Sequence, residues 1–338
     1  MCPVRPARPG SLITMHPITS RSHHARRDRA THPRSHLCLS RVRVYATFRA
    51  QLLRTVMGFL YLFVVVIAIT ATAVIAKLAV LRKITPLDLA TSLFSISTLL
   101  GLLFVVPRLP MKVTGEALLI SFIAGLGGAG AVLAFNAAVR AGHFGFSNAI
   151  YRSSFLVPVV YSILFLNATI KPTTILGILL ILGGIFLISQ STASFVPGKK
   201  AELRWFVLIM TAFLLSGIPR VGQTLTSLLK IECFLYLFLS YLGGALTLLI
   251  PVLAKRSFNP AALTWGTGAA IASYAGVFCT LKALEHLTPQ VVFPISLSAP
   301  ILLGVFLSLV LFREKVRVTG WIGIALGVSG ITVLAIWR

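Results

Sequence analysis

The chain has 338 residues, 57% hydrophobic and only 11% charged, with a mean hydropathy of +0.93; a soluble domain carries about 25% charged residues, so an ordinary soluble globule is excluded. The net charge of +24 suggests nucleic acid only until it is divided along the chain. Residues 1–56 hold 11 Arg and one acid, Asp28, and the remaining basic excess falls in short groups between apolar runs, so it argues membrane topology and no nucleic-acid partner.

Residues 1–56 are rich in Arg, Pro, Ser and His and contain no lysine, although the remainder has ten Lys and ten Arg. With no apolar run to bury and a foreign composition, this basic extension is expected to be disordered and to stand apart from the folded body. Three origins stay open: an upstream translated segment with the working start at Met57, a disordered tail, or an Arg-rich, acid-poor organellar transit peptide.

From Met57 onward, apolar runs can be counted against the ~20 residues a helix needs to cross ~30 Å of hydrocarbon. Ten are predicted, at 57–80, 89–106, 117–138, 146–166, 175–195, 205–225, 233–253, 262–283, 290–312 and 319–337. Short basic or Pro-containing segments separate them, such as Arg82-Lys83-Ile84-Thr85-Pro86 and Pro197-Gly198-Lys199-Lys200. All four tryptophans, Trp205, Trp265, Trp321 and Trp337, fall at run ends, where an indole keeps its ring in lipid and its N–H in water.

Cys2, Cys38, Cys233 and Cys279 form no CxxC pair, so neither a disulfide framework nor a zinc site is implied. Five of the seven histidines precede residue 37, leaving His143 and His286 for the apolar body, too few for a metal or catalytic cluster. No cofactor and no metal are expected. The sequon Asn167-Ala168-Thr169 sits at the lip of a span and reads as chance.

An internal repeat carries the most information. A shift of 146 residues without gaps places Gly130 on Gly276, Ala137 on Ala283, Ser162 on Ser308, Thr173 on Thr319, Gly177 on Gly323, Leu180 on Leu326 and Gly184 on Gly330. Five spans precede the hydrophilic link 197–204 and five follow it, and an odd number per half forces the halves into opposite orientations. That is the inverted-repeat plan of secondary carriers, with the solute path between the halves.

These residues resemble the drug/metabolite transporter superfamily, and within it the EamA-like ten-helix members. The second half carries the pattern best: Lys282-Ala283-Leu284 ending a span, Pro300 seventeen residues after Ala283, Phe312-Arg313-Glu314 closing the next span, then Gly323 and Gly330 in the last helix. The first half departs from it, with Ala168 at the position equivalent to Glu314 and Ser154 at that of Pro300, Pro158 following one turn later. The resemblance covers residues 57–338 and implies a transporter fold while saying little about the solute.

Gly125-Leu126-Gly127-Gly128-Ala129-Gly130 satisfies GxGxxG, yet it lies inside a membrane run with no strand before it, so close helix packing is the expectation. Asp88, Glu116 and Glu232 stand at the starts of apolar runs, where a helix dipole favours negative charge, and no acid occupies mid-span. Basic residues do enter the spans. Asn148, Tyr151, Arg152 and Phe155 recur at i, i+3, i+4 and i+7 of a fourth helix, giving one face an amide, a phenol and a guanidinium. In the sixth, Pro219 removes a backbone donor beside Arg220, with Gln223 on the same face, and Lys77 of the first helix aligns with Gln223 under the repeat. Each position reads either as a cavity wall or as a side chain snorkelling to the headgroups or held by a structural partner.

The expected fold is therefore an all-α integral membrane protein of ten transmembrane helices in two inverted five-helix repeats, residues 57–196 and 205–338. The expected function is alternating-access transport of a small organic metabolite, anionic or zwitterionic because Arg152, Arg220 and Lys77 face no mid-span acid. Asn148, Tyr151 and Gln223 are the expected hydrogen-bonding neighbours. A multidrug or cationic-compound exporter, a flippase for lipid-linked substrates and a membrane-embedded enzyme are the rivals, the last disfavoured by the lack of a His/Asp/Glu constellation. The implied partners are the bilayer and the solute, with self-association left open. The expected location is the cell (inner) membrane, or an organellar membrane if the extension is a transit peptide.

Two outcomes follow from the sequence. A protein beginning at Met57 should insert and stay monodisperse in detergent; aggregation of that form alone would give residues 1–56 a structural or targeting role. Loops on the side of Met57, with the C-terminus, hold six basic residues and the opposite loops hold eleven, so positive-inside counting for the body alone places Met57 and Arg338 outside, whereas the resemblance implies cytoplasmic termini. A cysteine introduced at Lys199 should resist labelling from outside intact cells, and ready labelling contradicts the loop count.

Overall fold

The computed structural model describes residues 34–110, 113–141, 144–168, 171–191, 199–255, 257–312 and 318–336. Every regular element among them is helical. In chain order these are α1 (Arg34–Leu81), α2 (Pro86–Val105), α3 (Gly115–Ala141), α4 (Phe144–Arg152), α5 (Leu156–Leu166), α6 (Pro172–Ser191), α7 (Lys199–Leu228), α8 (Cys233–Lys255), α9 (Ala261–Leu284), α10 (Pro289–Phe312) and α11 (Val318–Ile336). Residues Ala50–Arg338 form one compact unit and Met1–Arg49 another. The sequence places no helix before Met57, but the structure carries α1 back to Arg34; the Ala, Leu and Arg residues before Met57 are good helix formers, and helical propensity needs no apolar face.

Nine helical segments among the described residues are long and apolar enough to cross a membrane, and the apolar stretch Pro289–Gly304 begins a tenth. At 24 residues, α10 is about 36 Å long, sufficient for a bilayer core. Outward positions are apolar throughout, with Leu103, Phe165 and Ile250 each at least 66% exposed, a surface suited to lipid.

Helix starts follow the acids as expected. Thr85 caps α2 by accepting from the Asp88 N–H at 3.1 Å, and the Glu232 carboxylate accepts from the Phe234 and Leu235 N–H groups at 2.6 and 3.1 Å. Asn167 ends α5 in the left-handed conformation, φ 49°, which Asn tolerates better than most residues. Trp205 differs from expectation: its indole donates to Ser147 Oγ at 2.8 Å, tying α7 to α4.

The fourth span is not the continuous helix expected over 146–166. It breaks after Arg152 into a 3₁₀ turn, Ser153–Phe155, before resuming as α5. Pro158 has no N–H to give to the carbonyl four residues back, at Ser154, and the chain tightens there to shorter-range bonds. Phe155, the last residue of that turn, is fully buried in the core.

Counting α4 and α5 as one span, the halves are α1–α6 and α7–α11. Several of their contacts recur when the halves are exchanged. Helix α3 packs on α7, and the equivalent pair α1 and α9 meets where Gly276 faces Ala68 and Ile69. The α3–α8 contact is matched by α2–α9, while α2–α8, α5–α10 and α6–α11 are their own equivalents. An exchange-symmetric arrangement of halves with five spans each requires a two-fold axis in the membrane plane.

Glycine makes these contacts close. A Cβ on Gly184 would lie 2.6 Å from the Gly323 carbonyl oxygen, and one on Gly330 would lie 2.7 Å from that of Gly177. The repeat exchanges these two pairs, so the glycines that reveal the repeat in sequence also build the seam between its halves. The GxGxxG stretch acts likewise, a Cβ on Gly125 falling 2.1 Å from the Ser240 carbonyl oxygen across the α3–α8 contact. Of the family-pattern residues, Ala283 is fully buried at the end of α9, Pro300 lies inside α10, and Glu314 lies outside the described residues.

Gly184→Val should lower thermal stability in detergent, since the atoms it meets are backbone and cannot yield; overpacking of this kind costs about 1–3 kcal/mol. Gly115→Ala, where nothing lies within 4 Å, should match the parent protein. Equal melting temperatures for all three would mean that the α6–α11 seam is loose.

Candidate functional site

A cavity of about 450 Å³ lies between the two halves. Its walls are helix faces rather than loops, and the spacing shows it: α1 contributes Ile69, Thr72, Ala73 and Ala76, α7 contributes Ser216, Pro219, Arg220 and Gln223, and α9 contributes Ser273, Gly276, Val277 and Thr280. Each set is i, i+3, i+4 and i+7, one stripe of an α-helix. The α1 and α7 stripes coincide to within one residue under the 146-residue repeat, as expected for a cavity on the two-fold axis.

Of the residues expected from sequence, Tyr151, Arg152, Arg220 and Gln223 lie on this wall. Asn148 is half-buried on α4, one turn before Arg152, outside the lining. Lys77 is half-buried on α1 next to the lining residue Ala76, but one residue along a helix is a 100° rotation, which takes it off the stripe.

The scaffold is symmetric and its polar chemistry is not. Repeat equivalents of Pro219 and Arg220 are Ala73 and Val74, and the equivalent of Arg152 is Ser298. Both guanidiniums stand where the backbone hydrogen-bond ladder changes: Arg152 is the last residue of α4 before the 3₁₀ turn, and Arg220 follows Pro219, which has no N–H to give, inside the continuous helix α7. Arg152 Nε is buried with no hydrogen-bond partner in the described structure. Arg220 turns one guanidinium nitrogen back onto the Ser216 carbonyl, and Tyr236 donates its hydroxyl to the Pro219 carbonyl at 2.8 Å. The Tyr151 ring packs on Phe135 with centroids 4.7 Å apart.

Several lining hydroxyls were not legible in the sequence. Thr72 donates to the Ala68 carbonyl at 2.9 Å and Thr280 to that of Gly276 at 2.8 Å, while Ser240 donates to Leu237 at 3.1 Å and Ser296 to Phe293 at 3.2 Å. Protons committed to their own helix leave these oxygens facing the cavity as acceptors. Nothing in the sequence separates these hydroxyls from the many others in its apolar runs.

Toward the α2–α3, α7–α8 and α9–α10 connections, aromatic rings pack in a column. Phe94 and Tyr241, both on the cavity wall, lie 5.6 Å apart, Tyr241 is 5.9 Å from Tyr274, Tyr274 is 5.8 Å from Phe104, and Phe104 is 5.4 Å from Phe234. The Arg108 guanidinium caps the column 4.0 Å over the Phe234 ring. The neighbouring Lys282–Glu285 ion pair, at 2.7 Å, joins the end of α9 to the loop that follows it.

A chain of apolar helices in two halves around a cavity that holds two arginines can be compared with known proteins. A model of the EamA-like transporter family matches twice, over residues 56–190 and again over 203–336. A solved crystal structure of a protein superposes with a TM-score of 0.66 at 17% identity, covering 83% of this chain and 96% of the other, which shows a shared fold. No curated protein matches the chain at a significant level.

Proposed function

This chain belongs to the EamA-like transporter family, a multi-pass membrane transporter, and we propose that it carries a small anionic or zwitterionic organic metabolite through the cavity by alternating access. The observation behind this reading is the charge of the lining: it contains two arginines and, among the described residues, no aspartate or glutamate. A cation at membrane depth is expensive, roughly 2.5–3.5 kcal/mol on insertion scales. A carboxylate or phosphate on the solute offsets that cost, and a guanidinium binds it through two parallel hydrogen bonds.

Arg152 is the charge anchor in this reading, with Tyr151, Arg220 and Gln223 around it and Asn148 one turn out along α4. Lys77, off the stripe, is left out of the site. The moving parts are the repeats 57–196 and 205–338, linked by 197–204, and the aromatic column from Phe94 to Phe234 is the closed end of the path. Reopening there requires the rings of α2, α8 and α9 to separate, which rocking of one repeat against the other accomplishes. A cationic drug exporter is disfavoured, because the same two arginines repel its cargo. The cell membrane is the proposed location.

In proteoliposomes, Arg152→Gln should reduce uptake of carboxylate solutes at least tenfold while leaving expression and detergent behaviour unchanged. Undiminished transport in that variant, or a preference of the parent protein for cationic compounds, contradicts the reading.

A further inference from the structure

The anion reading leaves one feature of the wall unexplained, namely that there are two guanidiniums. Resting on that reading, we propose that the solute is an organic dianion with an apolar body, its two negative groups divided between Arg152 and Arg220. The two side chains reach the same cavity from different elements, the end of α4 and the position after the proline inside α7. Two like charges that no lining carboxylate neutralises repel each other in a poorly hydrated space. A monoanion leaves one of them unbalanced, and a dianion balances both.

Donor geometry points the same way. Arg152 Nε is buried and unpartnered, whereas Arg220 gives one nitrogen to the Ser216 carbonyl and retains the rest of its five-donor fork. Several lining hydroxyls spend their protons on their own helices, so donors for a ligand concentrate on the arginines, and an acceptor-rich ligand suits them. The rest of the cavity argues against a bare inorganic ion. Ile69, Ala73, Leu93, Phe94 and Val132 supply apolar wall from the first three helices, and about 450 Å³ is in the size range of organic-ligand sites. An apolar body against α1–α3 places both anionic groups toward α4 and α7.

The test is equilibrium binding to the purified full chain in detergent, using phenylsuccinate as dianion and 3-phenylpropionate as a monoanion of similar body. The parent should bind phenylsuccinate at least tenfold more tightly. In Arg220→Gln that ratio should collapse to within threefold of unity through loss of dianion affinity, and Arg220→Lys, which keeps the charge, should recover part of it. Equal affinity for both probes in the parent, or a preference that survives in Arg220→Gln, overturns the dianion proposal and leaves anion transport standing. Failure of the parent to bind either carboxylate, with binding of a cationic analogue instead, overturns both.

Discussion

In the core of a bilayer no water is available to accept a broken backbone hydrogen bond, and lipid tails are as apolar as leucine, so helices neither unravel freely nor attract one another by the hydrophobic effect. Close packing has to hold them. In this protein it does so through glycine, most visibly where Gly177 and Gly184 meet Gly330 and Gly323 with backbone against backbone. The same constraint explains why interruptions are rare and where they fall. Non-helical backbone at depth persists where protein or a cavity surrounds it, and the 3₁₀ turn after Arg152 and the proline of α7 both border the cavity.

Symmetry and chemistry part company at that point. Exchange of the halves reproduces the main α2–α8, α3–α8, α5–α10 and α6–α11 contacts, which is what a carrier needs if its two end states are to be related by rocking about a central axis. The residues that give the cavity its charge break the symmetry. Arg152 faces a serine at the equivalent position and Arg220 a valine, so the scaffold supplies the movement and one-off substitutions supply the selectivity.

How far the sequence reached depends on which physical signal was periodic. Spans, their number and the pairing of repeat glycines were legible because apolar length and a fixed 146-residue shift survive without atomic detail. Tyr151, Arg152, Arg220 and Gln223 stood out because charge and proline are rare inside apolar runs. The break at Ser153–Phe155 was not read, although Pro158 announced it, because a proline one turn along leaves the apolar pattern intact. Lys77 illustrates the limit of the repeat: alignment with Gln223 says nothing about a residue's angle on its helix, and the two repeats register on the cavity one residue apart. The lining serines and threonines were invisible for a different reason, since hydroxyls in membrane helices are common and only packing shows which of them face the cavity.

The central claim is that the cavity between the halves is the transport path, open alternately to the two sides. The direct measurement is modification of a single cysteine at Ser216, in a background with Cys2, Cys38, Cys233 and Cys279 replaced, by a membrane-impermeant thiol reagent applied from each side of sealed vesicles. Reaction from both sides, in proportions shifted by a carboxylate solute and slowed when the solute saturates, is the predicted result. A cysteine that stays unreactive from either side, or reacts from one side only and ignores every solute, would contradict the account.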